Sequence, residues 1–236
     1  MVSKMRWMMA VLFIAALSVS AASAQDDACL QRGGQLNDEG QCVLSLSMSI
    51  QMDYPLELAE NDIVASTLDP FIETTRLSFV EAVSMAFSPA PGIYESIATY
   101  ETTRYSDEIT SLVYTIYEFT GGAHGNTYFH TFTFDLANGT LITLDDLFAE
   151  GSDPFAVIAP IVETLLTEQL GDAADPQWIV EGTGDNPDNY QNFSLSEDGI
   201  TFYFPPYQVA FYAAGTQTVT IPFSELSAVL APAFAG

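Results

Sequence analysis

The chain has two histidines, His124 and His130, and both fall in the twelve residues FTGGAHGNTYFH. Histidine is the side chain suited to proton transfer near neutral pH and is also the commonest metal ligand, so this stretch is where chemistry would first be sought. A serine hydrolase would place its nucleophile on a sharp turn such as G-x-S-x-G, and no such motif is present. A distant serine and acid can still join a histidine, but nothing in the sequence singles them out. A second reading is structural. Gly121, Gly122 and Gly125 supply positive φ angles to a hairpin loop, and the imidazole of His124 bonds backbone or a neighbouring tyrosine. A third is ligand contact, because ordered loops on rigid strands are where binding residues sit. Gly121, Gly122 and His124 are therefore candidate binding residues, and no residue is assigned a catalytic role. A metal shared by His124, His130 and Asp135 is disfavoured. In a strand from Thr127, His130 faces the same way as Tyr128, Phe132 and Phe134, whereas Asp135 faces the other way. His130 is expected as a satisfied core histidine, and no metal or cofactor is expected.

FYFPPYQVAFYAAG is the second unusual stretch. Its prolines suit a rigid turn and its aromatics suit a core, which is the preferred reading; against it, Tyr207 and Tyr212 also suit a contact surface for a sugar or a protein. Two acidic clusters are calcium candidates: Asp145, Asp146, Glu150 and Asp153, and separately Asp185, Asp188 and Asn189. Neither has EF-hand spacing, since Tyr190 stands where the turn glycine is required. A calcium-stabilised structural protein is accordingly one alternative reading.

Charge narrows the partners. The chain has 5 basic and 31 acidic residues, a formal net charge of −26. Lys4 and Arg6 precede the apolar run WMMAVLFIAALSV, and Ala22-Ser23-Ala24 offers small residues for cleavage. Residues 1–24 thus read as a secretory signal peptide, and the run is too short to span a bilayer comfortably. Its removal leaves Arg32, Arg76 and Arg104 against 31 acidic residues, a charge of −28. Nucleic-acid binding needs Lys and Arg for the phosphates, so it is excluded as an expectation, as is insertion of the mature chain into a membrane. A cationic partner would be drawn in at a salt-dependent rate. The expected location is extracellular or periplasmic. There, Cys29 and Cys42 read as a disulfide closing residues 25–43 into a small N-terminal segment.

The elements that must position these residues follow from periodicity and turn chemistry. Residues 44–54 alternate as a half-buried strand with Leu44, Leu46, Met48, Ile50 and Met52 on one face. Asn61-Asp62 caps a helix running towards Met85, with a break or kink expected at Asp69-Pro70 and an end at SPAPG, residues 88–92. Strands are expected over 97–105, 111–119 and 127–136, and Asn138-Gly139 is a hairpin turn. Asp153-Pro154 opens a helix towards Leu170 that Pro160 divides, with Gly171 just past its end. GTGDNPDN reads as a loop. Strands at 193–195 and 200–204 form a hairpin, 218–221 is the last strand, and 223–234 is a short closing helix. The whole is α+β: antiparallel sheets with helices packed against them, in two intimately associated halves.

Four motifs in sequence order, GGAH, D-L-x-x-G, D-D-L-F and P-Y-x-x-x-x-Y-A-A-G, carry a resemblance over residues 44–226. The chain resembles a two-part bacterial extracellular module. Its first half (44–126) is similar to the PdaC-type domain of a peptidoglycan deacetylase. Its second half (127–236) is similar to the RsiV-type domain of a lysozyme-sensing anti-sigma factor. The resemblance implies a secreted, non-catalytic binding module of the cell envelope whose ligand is a cationic protein such as lysozyme or a cell-wall glycan. With no deacetylase domain or transmembrane helix read in the sequence, neither that activity nor signalling by regulated proteolysis is expected to carry over. The alternative is an envelope-modifying hydrolase using His124.

Overall fold

The computed structural model describes residues 28–29, 34–43, 47–85 and 93–235. The expected signal peptide, the start of the strand at 44–54 and the SPAPG segment lie outside these residues. Cys29 and Cys42 are joined, their Cα atoms 5.6 Å apart. Within the loop they close, strands β1 (Gln35–Leu36) and β2 (Cys42–Val43) pair antiparallel.

The main sheet has the order β3 (Ser47–Met52), β4 (Ile93–Arg104), β5 (Ile109–Phe119), β6 (Asn126–Asp135), β7 (Thr140–Leu141). The last four form an antiparallel meander, but β3 runs parallel to β4. A parallel pair needs a crossover, which helix α1 (Asp62–Met85) provides. The Asn61 side chain accepts from the Ile63 N–H at its start, as the capping signal predicts. Val64, Leu68 and Phe79 of α1 are fully buried on one stripe. Val64 and Leu68 pack against Ala98, Leu112, Tyr114, Ile116 and Phe134 of the sheet. The expected break at Asp69-Pro70 does not occur: the helix runs through Pro70. An interior proline costs about 3 kcal/mol, and here the apolar stripe is anchored on the sheet on both sides of it. The half-burial expected of β3 is met only in part. Ile50 and Met52 are partly covered, but Met48 is exposed because β3 is the edge strand among the described residues.

The second layer is an antiparallel sheet of β8 (Phe193–Leu195), β9 (Gly199–Phe204) and β10 (Gln217–Pro222), in the order β10-β9-β8. Helix α2 (Phe155–Leu170) lays Ile158, Val162 and Leu166 on Phe202, Phe204, Val219 and Ile221. Asp153 accepts from the Ala156 N–H at the start of α2, and Gly171 ends it with φ 53°. Pro160 sits inside the helix without dividing it. Two expectations fail here. Residues 176–183, partly read as loop, form helix α3 (Pro176–Thr183), capped by the Asp175 side chain accepting from Gln177 and Trp178. The closing helix is one turn, α4 (Phe223–Leu226). The chain then turns so that Leu230 can pair with Phe148 and Ala231 N–H can reach the Leu147 carbonyl.

The two layers meet at β8. One edge of β8 pairs with β9. Its other edge donates the Phe193 N–H to Thr131 Oγ1 at 3.0 Å and the Leu195 N–H to Ser111 Oγ at 3.0 Å. Thr103 Oγ1 in turn donates to the Leu195 carbonyl at 2.8 Å. Ser111 is fully buried and its hydroxyl also pairs with Thr133. Side-chain hydroxyls on the face of the first sheet thus take the place of a fourth strand for both N–H groups of this edge and for the Leu195 carbonyl.

His130 departs from its expected role. It lies on the α1 side of β6, as parity predicts, with its ring 4.7 Å from both Phe71 and Phe132. The residue is nonetheless exposed, and neither ring nitrogen has a hydrogen-bond partner among the described residues. It is a rim histidine whose faces are covered and whose edge is open, because α1 crosses the sheet inward of it. The covered faces push its pKa below the usual 6.5.

Replacing Ser111 by Ala leaves the buried Leu195 N–H without an acceptor, so unfolding in denaturant should show a loss of about 1–3 kcal/mol. The depressed His130 pKa makes a second prediction. A lowered folded value contributes stability that is present above the unfolded value and lost as pH falls through the folded one. His130→Gln should therefore reduce the fall in melting temperature between about pH 7 and about pH 5, modestly, since the ring edge is solvated.

Candidate functional site

FTGGAHGNTYFH divides between two environments. Residues 120–125 are the loop joining β5 to β6, and the rest is the first half of β6. Gly121 and Gly122 have φ of 97° and 105°, a region glycine enters without steric cost. Gly125 does not share this role. Its φ is not positive, and glycine suits the position because a Cβ would lie 2.4 Å from the Tyr117 ring, which would have to move.

This close approach places the Gly125 carbonyl at a junction. It accepts from His124 Nδ1 at 2.8 Å and from the Tyr212 hydroxyl at 2.8 Å. Because a carbonyl can only accept, Nδ1 carries the proton of this bond. The His124 ring stacks on Tyr212 with centroids 3.9 Å apart and planes 26° apart. Tyr212 continues to Tyr207, with centroids 5.6 Å apart. His124, Tyr212 and Tyr207 therefore form one aromatic ledge from segments far apart in sequence. Gly121 and Gly122 shape the loop beneath it, and no contact of theirs with the rings is present among the described interactions.

The Tyr207 end is held firmly. Tyr207 has φ 72° and is the one non-glycine residue with positive φ among those described, a conformation costing about 1–2 kcal/mol. Its N–H donates to the Ala210 carbonyl and its own carbonyl accepts from Trp178 Nε1 at 2.9 Å. Next to it, Gln208 Nε2 donates to the carbonyls of Gly182 and Asn189. These bonds clamp the 205–211 turn to α3. Tyr207 stays 50% exposed and Phe211 43% exposed, so the ledge presents apolar surface to solvent. Trp178 belongs to this arrangement and was not singled out in the sequence. The signal was there, since Asp175-Pro176 repeats the cap-and-proline pattern of Asp153-Pro154.

Several members of the acidic clusters are engaged in local structure. Asp146 accepts from the Thr143 N–H and hydroxyl at 2.7 and 2.6 Å, and Asp153 caps α2. Asn189 donates to the Gly184 carbonyl. Asp135 closes the β6–β7 hairpin by accepting from the side-chain amide and the N–H of Asn138 and from the Ala137 N–H, which holds its carboxyl below the usual range. Among the described residues no three His, Cys, Asp or Glu side chains are grouped so as to hold a metal ion. No helix among them is long and apolar enough to cross a membrane.

Residues 44–127 match the family described as Deacetylase PdaC, and residues 145–224 match the Protein of unknown function (DUF3298). Among relatives, Immunogenic protein MPT64 of Mycobacterium tuberculosis is 30% identical over 190 residues, covering 79% of this chain and 78% of that protein. Esterase Rv3036c of the same organism is 29% identical over 181 residues, covering 77% and 76%. The peptidoglycan-N-acetylmuramic acid deacetylase PdaC of Bacillus subtilis is 33% identical over 131 residues, 56% of this chain but 28% of that enzyme. The alignment to MPT64 exceeds two thirds of both proteins, so the chain belongs to the family of the MPB64 and MPT64 immunogenic proteins, with a PdaC domain followed by a DUF3298 domain.

Proposed function

We propose that this protein is an exported binding module of the cell envelope that receives a cationic protein surface on the ledge of His124, Tyr212 and Tyr207. One observation carries the reading: an exposed aromatic ledge assembled by both domains, with Tyr207 kept in a strained backbone conformation. Strain of this kind persists where the surroundings over-determine it, and it collects at binding and catalytic sites. Tyrosine faces attract Lys and Arg side chains, and a net charge of −26 draws a cationic protein towards them. A neutral cell-wall glycan would gain from stacking on the rings but not from the field. The lysozyme-sensing function of RsiV-type domains supports the same choice of partner by resemblance alone.

A hydrolase acting through His124 is the second reading, and the relative named an esterase favours it. Against it, His124 interacts among the described residues with Gly125 and Tyr212 and with no hydroxyl–acid pair. Acyl transfer by a triad needs the imidazole within hydrogen-bond reach of its nucleophile.

Titration with hen lysozyme at low and moderate salt separates the readings. Binding that weakens as salt rises is expected, and no binding at either salt overturns the proposal. Tyr207→Gly should weaken binding about tenfold or more, the effect of losing an interface anchor. Its melting temperature should be unchanged or raised, because glycine removes a left-handed penalty of about 1–2 kcal/mol. Turnover of a p-nitrophenyl ester that His124→Ala abolishes would instead select the hydrolase.

A further inference from the structure

A second feature lies apart from the ledge and shares no residue with it. Between α1 and the rim of β6 is an open groove of about 420 Å³, within the size range of small-ligand clefts. Phe71 of α1 and Phe132 of β6 meet edge to face as an aromatic wall, their centroids 5.1 Å and their planes 74° apart. Thr74 and Ser78, both exposed, line the groove from the same flank of α1 as Phe71, and His130 and Tyr128 line it from β6. Burial, and after it the nearby Glu118 carboxylate, push the Tyr128 hydroxyl's pKa up. The hydroxyls of Thr74 and Ser78 and both nitrogens of His130 have no partner among the described residues. Serine and threonine in helices commonly satisfy themselves by bonding the preceding turn, as Ser66 and Ser84 do in this same helix. Thr74 and Ser78 do not.

The chemistry of the lining limits the occupant. No lining residue is charged, although the chain carries 31 acidic residues. A cationic ligand would find its partners elsewhere on the surface, and an anionic one would meet an opposing field. An acyl chain would cover the aromatic wall but strip water from Thr74, Ser78 and His130 without replacing it. A ligand with an apolar face and a rim of hydroxyls satisfies both kinds of group. We infer that this groove is a binding site for a neutral sugar residue, its apolar face against the corner that Phe71 and Phe132 make and its hydroxyls on Thr74, Ser78 and His130. His130 suits the role because a neutral imidazole offers one donor and one acceptor, and its covered faces favour that neutral form.

The test is an NMR titration of the full chain with three neutral trisaccharides, of N-acetylglucosamine, glucose and xylose, and with octanol as the apolar probe. At least one trisaccharide should shift the His130 ring signals and the Thr74 and Ser78 amides. His130→Ala and Ser78→Ala should each weaken that binding about fivefold, the loss of one hydrogen bond. Ser78 is an exposed helix position, so its truncation keeps the fold. Tyr212→Ala should leave sugar binding unchanged, so failure here is distinguishable from failure of the ledge. The inference is overturned if no trisaccharide moves these signals. It is equally overturned if octanol alone moves them, or if Tyr212→Ala abolishes the sugar response.

Discussion

The arrangement of the two sheets depends on how the outer edge of β8 is satisfied. That edge presents the Phe193 and Leu195 N–H groups towards the face of the first sheet, and no fourth strand pairs with it among the described residues. Leaving such groups dry is among the more costly things a folded chain can do. Thr131, Ser111 and Thr103 answer with hydroxyls at fixed positions on β6, β5 and β4. The register of one sheet is therefore locked to the register of the other, and apolar contact such as Phe129 on Tyr203 fills in around the bonds. A purely apolar junction could slide; this one has a single alignment that satisfies its donors.

With that alignment set, the aromatic ledge follows. The loop after β5 carries the Gly125 carbonyl towards the second domain, and Tyr212 reaches it across 87 positions of sequence. One carbonyl with two lone pairs serves His124 from its own loop and Tyr212 from the other domain. The ledge is thus rigid through hydrogen bonds at its base rather than through burial of its rings. This is how aromatic surface can remain open to solvent in a defined shape.

Acidity plays little part in holding the fold. Among the described residues there is a single ion pair, Arg76 with Glu73 one helical turn away and exposed. Such pairs contribute little. The carboxylates that do structural work cap helices and close turns by accepting backbone N–H groups, as Asp135, Asp146, Asp153 and Asp175 do. The remaining charge acts at long range as a field, screened by salt, that bears on which partners approach.

Local chemistry made much of the fold legible. The cap at Asn61, the Asn138-Gly139 turn, the Asp153-Pro154 start and the strands of both sheets depend on neighbours within a few residues, and composition displays them. The parity of β6 likewise placed His130 on the α1 side. Other features needed distant parts of the chain. Pro70 and Pro160 stay inside helices because tertiary packing outweighs a local penalty. Gly125 is favoured by the Tyr117 ring and not by its own φ. Tyr207 adopts a glycine-like conformation that its residue type argues against, and His130 sits on a rim that only the path of α1 defines. By itself the sequence determined the element types, the disulfide and the acidic field, because propensity, turn chemistry and charge are short-range or additive. Only the tertiary structure decided which aromatics meet and which polar groups stay unpaired, because both depend on where hydrogen-bond register brings remote segments together.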